Sequence, residues 1–351
     1  MTDLKWIEID LGAIRRNARW VRGKLERGVR LMAVVKADAY GHGAAAVAKA
    51  LVKEGVESLG VLTPAEAAEL RAAGVKTKVH LLAPVLPENA RDVVEVKATP
   101  TIDSLDQARA LNAAAPASGL GVHIDLDFGL GRWGLPAKAL PAFLAALKRL
   151  KKLRLEGLST HIDYVPGKNS VEAEQKLRQF SRLAQPLKRE NPALLCHAAN
   201  SSVLMDFPHW QLDMARVGNL LYGIKVGAAK TSPLENPWKF QARVIALRDV
   251  VRGRSIGYAS EYVAARSMRV ATLPAGYADG LTMEPAERLI SLSGFRYWGM
   301  IGDKKAPFVG RCGIAHCLVD VTDVPQARVG TPVRLPIRRT AANAQLRRVY
   351  T

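Results

Sequence analysis

Residues 31–62, LMAVVKADAYGHGAAAVAKALVKEGVESLGVL, decide the architecture. Two short apolar runs, 31–36 and 58–62, flank residues 44–55, where apolar side chains recur at helical spacing. A strand, a helix and a second strand of these lengths form a parallel βαβ unit. The alternation continues to about residue 225, with strands expected at 78–83, 93–102, 120–127, 155–161, 193–200 and 213–218. Helices are expected at 64–73, 104–115, 136–151 and 170–190. Eight such units predict an α/β fold, a (β/α)8 TIM-type barrel, with a doubly wound open sheet as the competing arrangement. In a barrel the residues just after each strand build the functional site.

The texture changes after about residue 232. Segments 239–250, 269–273, 289–293, 308–310, 317–321 and 331–335 are short, strand-like and punctuated by Gly, Pro and Asp. They predict a smaller, mainly-β domain, linked through Thr231-Ser232-Pro233 and Asn236-Pro237. The opening Trp6-Ile7-Glu8-Ile9-Asp10 also reads as a strand. The expected organisation is therefore a strand within 1–10 that pairs with the C-terminal sheet, a barrel over 11–230 and a β-rich domain over 231–351.

Composition narrows the function classes. With 48% hydrophobic and 24% charged residues the chain is neither disordered nor fibrous. Three cysteines make no disulfide framework, and Cys312 and Cys317 lack the CxxC spacing of a zinc clip. There is no apolar run long enough to cross a membrane and no basic, apolar leader, so the expectation is a cytoplasmic protein with no membrane partner. The formal net charge of +19 invites a nucleic-acid reading, but the basic residues are dispersed. The densest run, Lys148-Arg149-Leu150-Lys151-Lys152-Leu153-Arg154, has leucines at helical spacing and reads as a solvated helix face, so no nucleic-acid partner is expected. Neither is a metal.

Lys36 ends the first strand of the barrel. An ammonium at the end of an apolar strand is costly to bury and tends to lose its proton, which is what Schiff-base chemistry requires of an amine. The surrounding AVVKADAYGHG (33–43) resembles the pyridoxal-phosphate lysine motif of alanine racemases, departing from it only at Asp38. The resemblance continues in family order through WIEIDLGAIRRN (6–17), DFGLGRWG (127–134), Thr160-His161, HAANS (197–201), DMARVG and LYG (213–218 and 221–223), GYASEY (257–262) and PAGYADG (274–280).

The resemblance implies pyridoxal 5'-phosphate as cofactor, held by Lys36, and a two-base mechanism. Lys36 works on one face of a small amino-acid substrate, and Tyr258 of the partner subunit in a homodimer with shared sites works on the other. Racemisation requires two groups because a planar carbanion loses its proton on one side and regains it on the other. A tyrosine serves only if nearby cations pull its pKa down from about 10; His161, Arg132 and Arg216 are the expected sources of that field. Arg216 faces the pyridine nitrogen, and a guanidinium cannot take a proton from it. The phosphate falls to Tyr40, Asn200, Ser201, Gly218 and Asn219, and His161 packs beside the ring. Arg132 orients the substrate carboxylate, with Ile314 and Tyr277 at the rim.

Two departures stand out. Many relatives carry a carbamylated lysine seven positions before the arginine; here that position is Asp125, expected to pair with Arg132 without CO2. The family's C-M-D-Q is Gly313-Ile314-Ala315-His316, which keeps a main-chain N–H at Ile314 but loses the acid and brings in His316. The leading expectation is an isomerase that interconverts L- and D-alanine and supplies D-alanine for the cell wall. A serine or broader-specificity racemase is the nearest alternative. A pyridoxal-phosphate decarboxylase is disfavoured by Arg216, and a non-catalytic carrier of the cofactor by the C-terminal domain.

Overall fold

The computed structural model describes residues 3–282, 297–337 and 346–351, which leaves the expected strand at 289–293 outside the described residues. The chain divides into two compact units, Leu11–Asn236 and Met1–Asp10 with Pro237–Thr351.

In the first unit β2 (Arg30–Val34), β3 (Ser58–Val61), β4 (Lys78–Pro84), β5 (Ala98–Ile102), β6 (Leu120–Asp127), β8 (Leu153–Thr160), β9 (Leu195–His197) and β10 (Met214–Val217) lie parallel, in the order β10-β2-β3-β4-β5-β6-β8-β9. The two-residue β7 (Leu135–Pro136) pairs with β6. No ladder joins β9 to β10, but main-chain bonds from Asp213 N to Cys196 O (3.0 Å) and from Arg216 N to Ala199 O (2.8 Å) span the gap. The result is the near-closed eight-stranded barrel that the alternation predicts.

Helices between the strands form where the sequence caps them. Thr63 caps Pro64–Ala72 in a capping box with Glu66, and Ser104 caps Leu105–Ala114. Helix Ser170–Glu190 buries Ala173, Leu177, Phe180 and Ala184, one stripe at helical spacing; each large apolar side chain so buried stabilises the fold by about 1.5–3 kcal/mol. None of the described helices is long and apolar enough to cross a membrane.

Inside the ring, strand residues of one parity meet. A Cβ built on Gly60 would lie 2.8 Å from Leu82 Cδ1, and one on Gly157 only 2.4 Å from the His123 ring. Glycine at 157 is therefore what admits an imidazole into the barrel.

Three expectations need correction here. The single strand at 93–102 is a helix, Ala90–Glu95, then a turn with Lys97 at φ 51°, then β5. Burial of Ala90 and Val93 on one helix face overrides the strand preference of Val93-Val94. The helix expected at 136–151 is shorter, Leu140–Leu147 behind a 3-10 turn at Ala137–Ala139. The basic run 148–154 consequently lies on the following turn and the start of β8, not on a helix, and its cationic side chains remain solvated.

The second unit is mainly β. β1 (Lys5–Ile9) pairs antiparallel with β11 (Trp238–Arg243) and parallel with β20 (Arg348–Tyr350), inside a six-stranded sheet ordered β17-β16-β19-β11-β1-β20. That sheet also holds β16 (Trp298–Ile301), β17 (Lys304–Pro307) and β19 (Pro332–Leu335). A second sheet has the order β12 (Ala246–Val250), β15 (Met268–Leu273), β18 (Cys317–Asp320), and a two-stranded ribbon pairs β13 (Ser255–Ile256) with β14 (Tyr262–Val263). The segment 239–250 is thus two strands in two sheets, broken between Arg243 and Ala246. Residues 308–310 contribute only an isolated bridge from Phe308 to Val319.

Candidate active site

Lys36 does not close its strand. β2 ends at Val34, and Lys36 opens a tight turn in which Ala37, Asp38, Ala39 and Tyr40 all have φ between 50° and 56°. Left-handed backbone costs about 1–2 kcal/mol for each such residue, so the turn persists only because its surroundings hold it. Ala39 N donates to Val35 O at 2.8 Å and Gly41 N to Ala37 O at 3.0 Å. Asp38 Oδ1 accepts from Ala44 N at 2.7 Å, which ties the turn to the start of helix Ala44–Lys53.

Lys36 opens into a cavity of about 350 Å³ at the C-terminal ends of the barrel strands. Every site residue expected from this unit lines it: Lys36, Tyr40, Asp125, Arg132, His161, Asn200, Ser201, Arg216, Gly218 and Asn219. Burial, then Arg132 and Arg216, push the Lys36 amine below its ordinary pKa, and Glu66 opposes them. His161 falls to about 3, through burial and the charges of Arg216, Arg132 and Lys36, and so stays neutral.

Arg216 is buried on β10. Nη1 donates to His197 Nδ1 and His197 O, and Nη2 to Thr160 O, each at 2.7 Å. Burial lowers its pKa to about 10, which leaves it a cation at neutral pH. Since Nδ1 of His197 accepts, its Nε2 carries the proton and donates to His123 Nδ1 at 2.9 Å. His80 lies edge-on to His123, with ring centroids 4.8 Å apart. A line of neutral imidazoles from β9, β6 and β4 thus backs the guanidinium. His197, His123 and His80 were not singled out from the sequence; the signal was there, as polar residues inside apolar strand runs.

The anion-binding end is built around Gly218. A Cβ there would stand 2.4 Å from Tyr40 Oη, so only glycine admits the hydroxyl. The Tyr40 ring packs on Tyr222, and Tyr222 Oη donates to Val34 O at 2.9 Å. Asn200 caps helix Ser201–Asp206, its side chain accepting from Ser202 N and Val203 N. Hydroxyls, turn amides and cations with an amine beside them form the donor set that a phosphorylated aldehyde requires.

The expected nearness of Asp125 to Arg132 takes the form of a shared field rather than a direct ion pair. The two share the cavity and feel each other's charge, but no ion pair joins them among the described residues. Asp125 sits opposite Ser159 in the β6–β8 ladder and accepts from Ser159 Oγ at 2.5 Å. Burial raises its pKa, against that hydrogen bond and the two arginines. Arg132 lies over the Trp133 ring, 3.7 Å from its centroid, which fixes the guanidinium without a carboxylate.

In the second unit, Tyr258, Tyr277 and Ile314 gather around one loop. Tyr258 begins a turn at Tyr258–Ser260, 58% exposed, with its ring 6.0 Å from that of His316. Tyr277 N donates to Gly313 O and Ala278 N to Ile314 O, both at 3.0 Å. A Cβ on Gly276 would fall 2.2 Å from Gly313 O, which accounts for the glycine in PAGYADG. Ile314 is 60% exposed.

Two family models cover most of the chain: "Alanine racemase, N-terminal domain" over residues 9–226 and "Alanine racemase, C-terminal domain" over 238–348. The chain is similar to an alanine racemase of Syntrophobacter fumaroxidans, 36% identical over 327 residues, which are 92% of this chain and 85% of the relative. It superimposes on the alanine racemase of Clostridium difficile 630 with a TM-score of 0.89 at 27% identity, covering 100% of this chain and 96% of that one. It also shares the fold of an alanine racemase from Bartonella henselae solved with covalently bound pyridoxal phosphate, with a TM-score of 0.82 at 23% identity and all of both chains covered.

Proposed function

Because the chain belongs to the alanine racemase family, we propose that it interconverts L- and D-alanine, with pyridoxal 5'-phosphate held at Lys36. The observation that carries this reading is a partly buried amine of lowered pKa opening into a cavity lined by Arg132, Arg216, His161, Tyr40 and Ser201. When bound, the cofactor supplies an aldehyde that condenses with amines and a conjugated ring that draws electrons from the substrate α-carbon. The residues of the chain do the rest. Tyr40, Asn200, Ser201, Gly218 and Asn219 bind the phosphate, and neutral His161 flanks the ring without adding charge. Arg216, fixed by three bonds and charged at neutral pH, would face the cofactor's pyridine nitrogen as a donor that cannot take a proton from it.

Arg132 orients the substrate carboxylate, with the Ile314 amide and Tyr277 at the rim. Lys36 Nζ takes or returns the α-proton on one face and the Tyr258 hydroxyl on the other. Exposure of Tyr258, Tyr277 and Ile314 supports their reaching the site of a partner subunit, in a homodimer. The same reading makes it a cytoplasmic enzyme that supplies D-alanine for the cell wall, which its three free, buried cysteines support.

The test is direct. Purified protein loaded with pyridoxal phosphate should be yellow, lose the band on borohydride reduction and racemise either enantiomer of alanine. Lys36→Ala should abolish the reducible band and lower turnover by roughly 10²–10⁴-fold or more. A variant that keeps both would refute the assignment. An α-deuterium exchange screen over other amino acids separates an alanine enzyme from a serine or broader racemase.

A further inference from the structure

Glu66 stands outside every motif that assigns the site, yet it touches the segment that carries Lys36. It lies in the first turn of helix Pro64–Ala72, where its N–H donates to Thr63 Oγ1 at 3.2 Å. In an ordinary capping box the glutamate returns one bond to the residue at the cap. Here the carboxylate does more. Oε2 accepts from Leu62 N at 2.6 Å and from Thr63 N at 3.3 Å, while Oε1 reaches across to the Ala37 N–H at 2.6 Å. Ala37 follows Lys36 directly and begins the run of four left-handed residues. One side chain therefore joins the β3 loop to the strained turn after β2.

We propose that Glu66 is a positioning residue for Lys36: its carboxylate pins the left-handed turn at Ala37, the residue that directly follows the lysine. The proposal rests on the reading of Lys36 as the cofactor-binding amine. The charged or titratable groups that act on Lys36 are Arg132, Arg216 and Glu66, with His161 nearby and held neutral. Glu66 is the single anion among them. It offsets part of the burial and of the two guanidinium charges, and so raises the protonated share of the amine at a given pH.

Glu66→Gln removes the charge and turns one acceptor into a donor that faces a main-chain N–H. Imine formation needs the neutral amine, so the test is the rate at which apoenzyme captures pyridoxal phosphate, followed by growth of the visible band across a pH series. In Glu66→Gln the pH of half-maximal rate should fall, because the anion that opposes burial and the two guanidinium charges is gone. Glu66→Asp, which keeps the charge, should return it to the wild-type value. A Glu66→Gln profile that superimposes on wild type overturns the proposal, whatever its stability. Wild-type protein that captures no cofactor, or Lys36→Ala that captures it equally well, would overturn the reading of Lys36 instead. If Glu66→Gln does not fold, hydrogen exchange of the Ala37 amide in wild-type apoenzyme serves. Protection at neutral pH supports the bond, and exchange as fast as an unstructured amide overturns it.

Discussion

Acidification should unfold the barrel unit through its interior histidines. His80, His123, His161 and His197 all sit below the ordinary histidine pKa, with burial as the first cause in each. His123 and His161 fall to about 3. These groups are neutral in the fold and protonate in the unfolded chain below about 6.5, so the unfolded state binds more protons and stability rises with pH through this window. Their contribution is fully present above 6.5 and is lost as the pH falls from 6.5 toward 3. For one histidine with those two pKa values the loss at pH 5 is about 2 kcal/mol, so His123 and His161 together remove about 4 kcal/mol from apoprotein. The assay is urea unfolding of apoprotein at pH 7.5, 6 and 5, beside His123→Asn. That variant loses one titrating group while its amide oxygen can still accept from His197 Nε2. It should give back about 2 kcal/mol of the difference between pH 7.5 and 5. Equal unfolding free energies at pH 7.5 and 5, or a variant with the same pH dependence as wild type, would refute the neutral-imidazole arrangement behind Arg216.

Arg216→Lys keeps the charge but cannot span three acceptors. With a net value of about 1.5–3 kcal/mol for each charged hydrogen bond, losing two should destabilise the unit by about 3–6 kcal/mol in denaturant titration; a change under about 1 kcal/mol would show that the three bonds do not position the guanidinium. Tyr258→Phe should suppress α-proton exchange on one face of the substrate while cofactor stays bound, and equal loss for both enantiomers would count against it. Mixing that variant with Lys36→Ala should regenerate up to about a quarter of wild-type activity, since half of randomly paired dimers carry one site with both groups intact. No regain in dimers shown to have exchanged subunits would exclude a site shared between chains.

The βαβ alternation is legible in residues 31–62 because parallel strands buried on both faces read as unbroken apolar runs, and helices covering them show a 3.6-residue period. Lys36 was legible because an amine closing an apolar run is conspicuous, whereas Arg132, Arg216 and the glycine-rich turns were legible only through their resemblance to alanine racemase motifs. Boundaries were not fixed this way. The run at 93–102 reads as one strand, and only packing of Ala90 and Val93 turned half of it into a helix. Lys36 reads as the last residue of a strand, yet it opens a left-handed turn held by Asp38 and Glu66.

Partners across the barrel lay further out of reach. The family resemblance sets Asp125 at the place of the relatives' carbamylated lysine, which suggests a pair with Arg132. The β6–β8 register instead sets Asp125 opposite Ser159, and Arg132 lies on Trp133. Likewise His80, His123 and His197 come from three separate strands and meet only because ring closure brings their inward positions together. Sequence determined which residues can do the chemistry, since that depends on the side chain alone. Tertiary structure decided which of them touch and which charge each feels, since both depend on distances that the chain sets only after the ring has closed.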